Sequence, residues 1–291
     1  MPENGNQPGI RAVEVPQRRR GSGPILILAG LFVVATFLAW YFTWFGRELS
    51  DTDISKYLAD EKNPRHVQHA LLQIQQRMER GDTGSKNWYP QLIALSGSAE
   101  TEFRLTVAWL MGFDNNEPQF HEALLKLLND SEPLVRRNAA LALLRFNDTS
   151  GHQELVKTLE PYAVTTPATG VVASNLQEGA IVARSALLAR IQQPDGTVVQ
   201  VRSPLPGRVH KVLKANGAQV AQGEQVLSLI SDENSVWEAL RGLALVGSYE
   251  DVPVIGIYVH ENDVSARVRE QAKSTVNAIE TRTRDLRNKK Q

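Results

Sequence analysis

The first strong hydrophobic pattern in the chain is a stretch with no polar interruption. Residues 25–45 (ILILAGLFVVATFLAWYFTWF) are 21 consecutive residues without a charge. As an α-helix they would rise about 30 Å, the thickness of the hydrocarbon core of a bilayer. This stretch is longer than the apolar core of a signal peptide and lacks an A-x-A-like cleavage site. The pattern predicts a single uncleaved transmembrane helix over residues 25–45, in contact with membrane lipid.

The residues before this stretch predict its orientation. Arg18, Arg19 and Arg20 end a tail, residues 1–24, whose Pro, Gly and Asn content is typical of disorder. Adjacent arginines on a short tail resist translocation, whereas a long C-terminal domain crosses largely regardless of charge. We therefore expect a single-pass protein of the inner, or cytoplasmic, membrane. Its N-terminal tail would be cytoplasmic and its C-terminal domain periplasmic or otherwise extracytoplasmic.

Beyond residue 51 the hydrophobic pattern becomes helical. His121–Phe146 carries two apolar stripes with a 3.6-residue period, separated by a polar turn at Asn129–Pro133. Counted from Asp130, valine stands at +5, arginine at +6, alanine at +9 and an aliphatic residue at +13. The same series follows Asp263, and a weaker version begins at Ser98, 32 residues before Asp130. This repetition predicts a short α-solenoid over residues 51–162 and 234–284, followed by a polar tail, residues 285–291.

Between the two helical regions, residues 163–233, the helical period disappears. Short runs of Val, Ile and Leu separated by turn residues predict many short strands. Two halves of this region match each other: Gly170 with Gly207, Gly179 with Gly217, and Ser185 with Gly223. The fold class predicted is therefore α+β and multidomain, with a helical solenoid interrupted by an all-β domain whose two similar halves close on one core.

Composition and motifs exclude several function classes. The 32 Lys and Arg residues balance the 32 Asp and Glu residues, so we expect no general attraction to nucleic acid. The absence of cysteine excludes disulfides, zinc–thiolate sites and thiol catalysis. His66 and His69 lie three apart on a predicted helix, but no third metal ligand is evident near them. No phosphate-binding loop, nucleophile elbow or paired-carboxylate motif occurs. We therefore predict no catalytic residues and no metal site.

The helical repeat resembles a known family. Residues 130–140, which read D-x-x-P-x-V-R-x-x-A-A, resemble the second-helix signature of HEAT repeats, although the 32-residue spacing is shorter than in standard HEAT units. The resemblance extends over roughly Ile54–Tyr162 and Val236–Arg282. It implies structural roles across neighbouring repeats for the turn aspartates and helix arginines, which are Asp130, Arg136, Asp263 and Arg269. Trp88, Tyr89 and Trp109 would then either fill the core between helices or form an aromatic binding surface.

The β region resembles another family. Residues 203–230 (SPLPGRVHKVLKANGAQVAQGEQVLSLI) resemble the biotinyl/lipoyl domain, a barrel-sandwich hybrid. Carrier members of that family present a modified lysine at the tip of the hairpin that joins the two halves. Here Asp195 and Gly196 occupy the tip, a plain turn dipeptide. The resemblance therefore implies a lipoyl-like domain without a covalent cofactor. Unmodified domains of this type also occur in membrane-fusion adaptors of export complexes.

Together these patterns predict a non-enzymatic, membrane-anchored scaffold or adaptor. It would bind protein partners in the cell envelope through the HEAT-like solenoid and the unmodified lipoyl-like domain. One alternative is a divergent membrane-fusion-type adaptor of an export or efflux complex, with a transporter complex as its partner. Another is a biotin or lipoyl carrier, or a hydrolase, whose site residues are not recognisable. The sequence leaves open whether the solenoid or the β insert is the binding surface.

Overall fold

The computed structural model describes residues 23–40, 48–261 and 263–288. It divides into two compact units, residues 1–50 and residues 51–291, which are described separately. The first unit contains helix α1 (Gly23–Trp40), which has no charged residue. Its described apolar side chains, from Leu26 to Leu38, are exposed. Most of the predicted disordered tail, residues 1–22, and the last five residues of the predicted span lie outside the described residues.

The prediction of a transmembrane helix is contradicted by this structure. No helix within the described parts of the chain is both long enough and apolar enough to cross a bilayer. The described part of helix α1, Gly23–Trp40, has 18 residues. The predictions of a span over residues 25–45, of a single-pass topology, and of lipid as a partner are corrected accordingly.

The second unit is built mainly from pairs of helices. The helices before the strands are α2 (Asp51–Leu58), α3 (Pro64–Glu79), α4 (Tyr89–Leu95), α5 (Thr101–Met111), α6 (Pro118–Leu127), α7 (Pro133–Arg145) and α8 (His152–Leu159). Those after the strands are α9 (Glu233–Val246), α10 (Val252–His260) and α11 (Ala266–Asn288). Consecutive helices pack as pairs from α2/α3 to α10/α11. The second helices of the pairs, α3, α5, α7, α9 and α11, also contact one another in that order, so the pairs stack as a solenoid.

Several of the turns that precede helices are fixed by local chemistry. Proline begins α3, α6 and α7, where its missing N–H costs nothing and its fixed φ favours helix initiation. The arginine at +6 binds back to the same turn: Arg104 Nη1 donates to Ser98 O (2.9 Å) and Arg136 Nη1 donates to Asp130 O (2.8 Å). The spacing found in the sequence therefore marks a recurring hydrogen bond. Helix α11 extends through Asn288, four residues beyond the predicted helical region.

The strands form two four-stranded antiparallel sheets between α8 and α9. They are β1 (Tyr162–Thr165), β2 (Gly170–Ala173), β3 (Ile181–Val182), β4 (Leu187–Gln192), β5 (Val198–Arg202), β6 (Gly207–Val212), β7 (Gln219–Val220) and β8 (Gln225–Ser231). One sheet has the order β1-β8-β6-β3 and the other β5-β4-β2-β7. Residues from both sheets, among them Val172, Ile191, Val209 and Leu229, are buried in one shared core. We call residues 162–231 the β module.

The two halves of the β module repeat the same backbone geometry. Gly179 and Gly217 both have φ +84°, and the matched pair Ser185 and Gly223 have φ +63° and +82°. These left-handed conformations favour glycine. The third matched pair leaves no room for a side chain, because a Cβ on Gly170 would lie 2.3 Å from Gln192 O and one on Gly207 would lie 2.1 Å from Ile230 O. The sequence match between the halves thus corresponds to matched turns and close backbone contacts.

The β module packs against several repeats of the solenoid. Leu134 of α7 is buried in the core of the module. Arg184 forms an ion pair with Glu102 of α5, and Arg208 lies 3.7 Å from Asp263 in the turn between α10 and α11. Strands β1 and β8 are neighbours, so the chain leaves and re-enters the solenoid at one place. The helices on either side, α8 and α9, therefore pack as an ordinary pair.

Candidate partner-binding cleft

A cleft of about 620 Å³ lies along the row of second helices. Helices α5, α7, α9 and α11 all contribute to its wall. We call it the second-helix cleft; its lining residues include Trp109, Leu141, Arg145, Glu238, Arg241, Leu245 and Gln271. Leu245 is the most exposed apolar side chain here, at 68% of its full area. A contiguous site that mixes exposed aliphatic, aromatic and cationic groups is suited to recognition of a protein segment.

One end of the cleft is organised by Arg145. Its guanidinium carbon lies 5.4 Å from the ring centre of Trp109 and 5.1 Å from that of Phe113. The same guanidinium donates from Nη1 to Gly112 O (3.2 Å), at the end of α5. Cation–π contacts at exposed sites contribute about 0.5–1 kcal/mol each. Arg145 is therefore oriented by the preceding repeat while its charge remains exposed.

Around Trp237 a second group of cations continues the same surface. The guanidinium carbon of Arg241 lies 4.7 Å from the ring centre of Trp237, and that of Arg267, on α11, lies 4.0 Å from it. Arg267 also donates to Asn234 Oδ1 (2.9 Å). Among the described residues, neither Arg145 nor Arg241 forms an ion pair. The cleft therefore presents two arginines without an ion-pair partner among the described residues, and the Glu238 carboxylate lies in the same wall.

The aromatic residues singled out from the sequence divide between core and surface. Trp88 is only 1% exposed and donates from Nε1 to Ser55 Oγ (2.9 Å). Tyr89 is 6% exposed and packs on Phe120. Only Trp109 is partly exposed and lines the cleft. Two of the three aromatics thus fill the solenoid core, and the third contributes to the candidate site.

The four residues implied by the HEAT resemblance lie at two turns, Asp130 with Arg136 and Asp263 with Arg269. Asp130 accepts from Arg104 of the preceding pair, with Nε–Oδ2 at 2.7 Å. Arg136 reaches Glu154 of the following pair, at 2.9 Å. Asp263 is exposed beside the β module, and Arg269 donates to Val264 O (2.9 Å). These four residues do not converge on one site, and Asp130 and Arg136 each make a cross-repeat contact.

The hairpin tip between the two halves of the β module is a plain turn. Asp195 Oδ1 accepts from Thr197 N (2.9 Å), and Gly196 has φ +85°. The hydrogen bonds from Thr197 hold the pKa of Asp195 below its usual value. The nearest lysine in the following half, Lys211, lies on β6, while Lys214 pairs with Glu224. No lysine stands at the tip.

The side chains of His66 and His69 contact different residues. His66 Nδ1 lies 2.9 Å from Asp60 Oδ2, and its ring stacks on Tyr57 at 4.2 Å. His69 Nε2 lies 3.0 Å from Gln73 Nε2. Within the described ranges, no three His, Cys, Asp or Glu side chains are grouped so as to hold a metal ion.

Sequence reasoning missed a ladder of contacts between first helices and the loops that follow their second helices. Tyr89 donates to Asp114 (3.0 Å), His121 Nε2 lies 2.6 Å from Asp148, and His152 Nε2 lies 2.7 Å from Asp251. Burial and the Asp114 hydrogen bond raise the pKa of Tyr89 to about 12. The 31- to 32-residue spacing of Tyr89, His121 and His152 is the signal that could have revealed this ladder.

A comparison with known families identifies the central helices. Residues 89–177 match the family model described as HEAT repeats. The matched segment begins at the first residue of α4, runs through α8, β1 and β2, and ends between β2 and β3. No curated protein matches the chain. The prediction of HEAT-like helical repeats is confirmed for this segment. Because HEAT repeats generally mediate protein–protein interactions, the match indicates a protein-interaction scaffold.

Proposed function

We propose that this protein is a non-enzymatic scaffold whose second-helix cleft binds an acidic segment of a partner protein. The observation that carries the proposal is a pair of arginine–tryptophan groups, Arg145 with Trp109 and Arg241 with Trp237, whose arginines line the same cleft as exposed Leu245. Arginine and tryptophan are the residues most enriched at the energetic centres of interfaces. Rigid cations without internal carboxylate partners favour glutamate and aspartate in the bound segment.

Leu245 adds a requirement for apolar side chains in the partner. Complete burial of an exposed leucine side chain contributes about 1.5–3 kcal/mol, which is comparable with one well-placed charge contact. Leu141 and Ala244 lie in the same wall. An amphipathic segment with leucines on one face and glutamates beside them satisfies both features. We therefore infer helix-in-groove recognition, in which the partner's leucines bury Leu245 and its glutamates reach Arg145 and Arg241.

The β module is proposed to be an unmodified lipoyl-like domain, a barrel-sandwich hybrid. Its two four-stranded sheets, the left-handed pair Gly179 and Gly217, and the crowded pair Gly170 and Gly207 support two equivalent halves around one core. Asp195 at the hairpin tip offers no amine for acylation. The contacts of the β module with α5, α7 and the α10–α11 turn favour a role in holding the repeats together.

Fluorescence anisotropy with a synthetic probe tests the cleft. The probe is a fluorescein-labelled helical peptide with leucine at every third or fourth position and glutamate between them, and the matched probe carries lysine in place of glutamate. We expect saturable binding of the glutamate probe only, at least tenfold weaker in the double variant Arg145→Glu/Arg241→Glu. Lys273→Glu, a charge reversal on the exposed part of α11, is the matched control. Equal binding by the cleft variant and the control would overturn the proposal.

A further inference from the structure

Helix α10, the first helix of the last pair, has an apolar outer face. Pro253 and Ile257 lie one helical turn apart and are both exposed, Ile257 at 54% of its full area. Tyr249, which is 58% exposed, lies four residues before Pro253 in the helical turn that leads into α10. On the inner side of the helix, Ile255 and Tyr258 are buried in the core of the solenoid. We call Tyr249, Pro253 and Ile257 the α10 stripe.

The first helices of the two preceding pairs carry polar residues on their outer faces. The exposed residues one turn apart include Glu122 and Lys126 on α6, and Gln153 and Lys157 on α8. Each of these helices thus exposes a lysine, whereas α10 exposes Ile257. The stacking of the repeats does not require this difference, since outer faces do not contact neighbouring pairs. An exposed apolar face of this kind indicates a surface that another molecule covers.

Titratable side chains stand at the two ends of the α10 stripe. Glu250 lies just before α10, and His260 is the last residue of the helix; both are exposed. Among the residues that the structure describes, neither of them forms an ion pair. The exposed Glu261 follows His260 directly. The stripe therefore has an acceptor at its first end, and both a donor and an acceptor at its second end.

We propose that the α10 stripe is a contact between two copies of this chain, with their α10 helices antiparallel about a twofold axis. In a twofold interface, residue i of one copy contacts residue j of the other, and j contacts i. When the axis passes at the level of Ile255, Pro253 of each copy faces Ile257 of the other. The exposed apolar residues of the helix then cover one another.

The same register also matches the polar ends of the stripe, which is the argument for a second copy. Glu250 comes opposite His260, whose ring nitrogen donates to the carboxylate. Tyr249 comes opposite Glu261, which accepts from the phenol hydroxyl. Antiparallel helices also place the positive end of each helix dipole beside the negative end of the other. One short helix from each copy buries less than the standard interface of about 800 Å² per partner, so we expect reversible, concentration-dependent association.

Sedimentation velocity of the full chain over a wide range of concentrations tests this contact. We expect a reversible monomer–dimer equilibrium for the native chain. Ile257→Lys gives α10 the residue type that α6 and α8 expose, so it should fold normally while the dissociation constant of the dimer rises at least tenfold. Leu245→Lys, the same change at an exposed aliphatic residue of the second-helix cleft, is the matched control and should dimerise like the native chain. A native chain that stays monomeric, or equal association of Ile257→Lys and the native chain, would overturn the proposal.

Exchange of the end charges tests the antiparallel register and leaves the stripe itself unchanged. His260→Glu places two carboxylates opposite each other, at positions 250 and 260 of different copies, and should weaken the dimer several-fold. The double variant Glu250→Lys/His260→Glu restores opposite charges at each end and should recover native association. Failure of this recovery would refute the register. If another protein binds the monomeric native chain but not Ile257→Lys, the stripe serves that protein and the second-copy assignment is wrong.

Discussion

Removal of the Asp130 carboxylate should destabilise the solenoid more than any other single change to an ion pair. Asp130 receives two parallel bonds from Arg104, at 2.7 Å from Nε and 3.0 Å from Nη2. The two side chains are only 7% and 13% exposed. Asp130 Oδ1 also accepts from Glu132 N (2.9 Å) before the first turn of α7. One carboxylate thus joins two helix pairs and also fixes the start of α7.

The expected loss for Asp130→Ala is about 3 kcal/mol in the free energy of unfolding. Removing one partner of a buried pair costs about 3–5 kcal/mol. The lower end applies because Arg104 keeps its bonds to Ser98 O (2.9 Å) and Ala99 O (3.1 Å). Most domains have a total stability of only about 5–15 kcal/mol, so the change is large. The double variant Arg104→Met/Asp130→Leu should recover most of the loss, because no unpaired charge remains.

Urea unfolding followed by far-UV circular dichroism measures these differences. The matched control is Lys273→Ala, which breaks an exposed pair with Glu270 and should leave the midpoint unchanged. Two results would refute the reasoning. One is a loss for Asp130→Ala no larger than for the control. The other concerns the single variants Arg104→Met and Asp130→Leu. If their losses of stability add up to that of the double variant, Arg104 and Asp130 do not interact.

Three further predictions concern the stability of the protein at acid pH, the substitution of two glycines, and covalent modification. Hydrogen bonds from Ser150 and His121 hold the pKa of Asp148 below its usual value, so its stabilising contribution is present above about pH 4 and is lost as the pH falls further. The melting temperature should therefore fall in that acid range, and less steeply in Asp148→Asn; identical pH profiles would count against this. Gly207→Ala places a Cβ 2.1 Å from Ile230 O and should cost about 2–4 kcal/mol, whereas Gly196→Ala, which faces open space, should cost about 1–2 kcal/mol for its left-handed φ. Equal urea midpoints for these two variants would contradict that difference. Intact-mass measurement of the native protein should show no lipoyl or biotinyl group, and such an added mass would show that an acceptor lysine had been overlooked.

Local chemistry explains which parts of the fold were predictable from the sequence. The turn at Asn129–Pro133 was predicted because proline and the +6 arginine act within a few residues. The pairing of Ser185 with Gly223 was also visible, since both positions have the same left-handed backbone. The sequence also predicted that the β region interrupts a helix pair, because the apolar stripe resumes at Val236. In the structure α8 and α9, on either side of residues 160–232, pack against each other.

The candidate sites were predicted less well than the fold because they depend on contacts between distant repeats. Trp109 was considered from the sequence, but its partner Arg145 lies 36 residues later and reaches it only when α5 and α7 pack together. The transmembrane prediction relied on an uncharged run of 21 residues; it was wrong because no helix in the described parts of the chain is both long enough and apolar enough to cross a bilayer.

The adjacency of β1 and β8 has a consequence for the order of folding. For a flexible segment, the entropic penalty of closing the loop between α8 and α9 grows as about (3/2)RT ln n, which makes residues 160–232 roughly 2–3 kcal/mol harder to close than a four-residue turn. A β module that has already folded removes this penalty, because Tyr162 and Leu229 are paired across neighbouring strands. The C-terminal helices α9–α11 should therefore dock only after the β module has formed. During synthesis, helices α2–α8 would therefore be packed first. Helices α9–α11 would join them only after the 70-residue β module has folded.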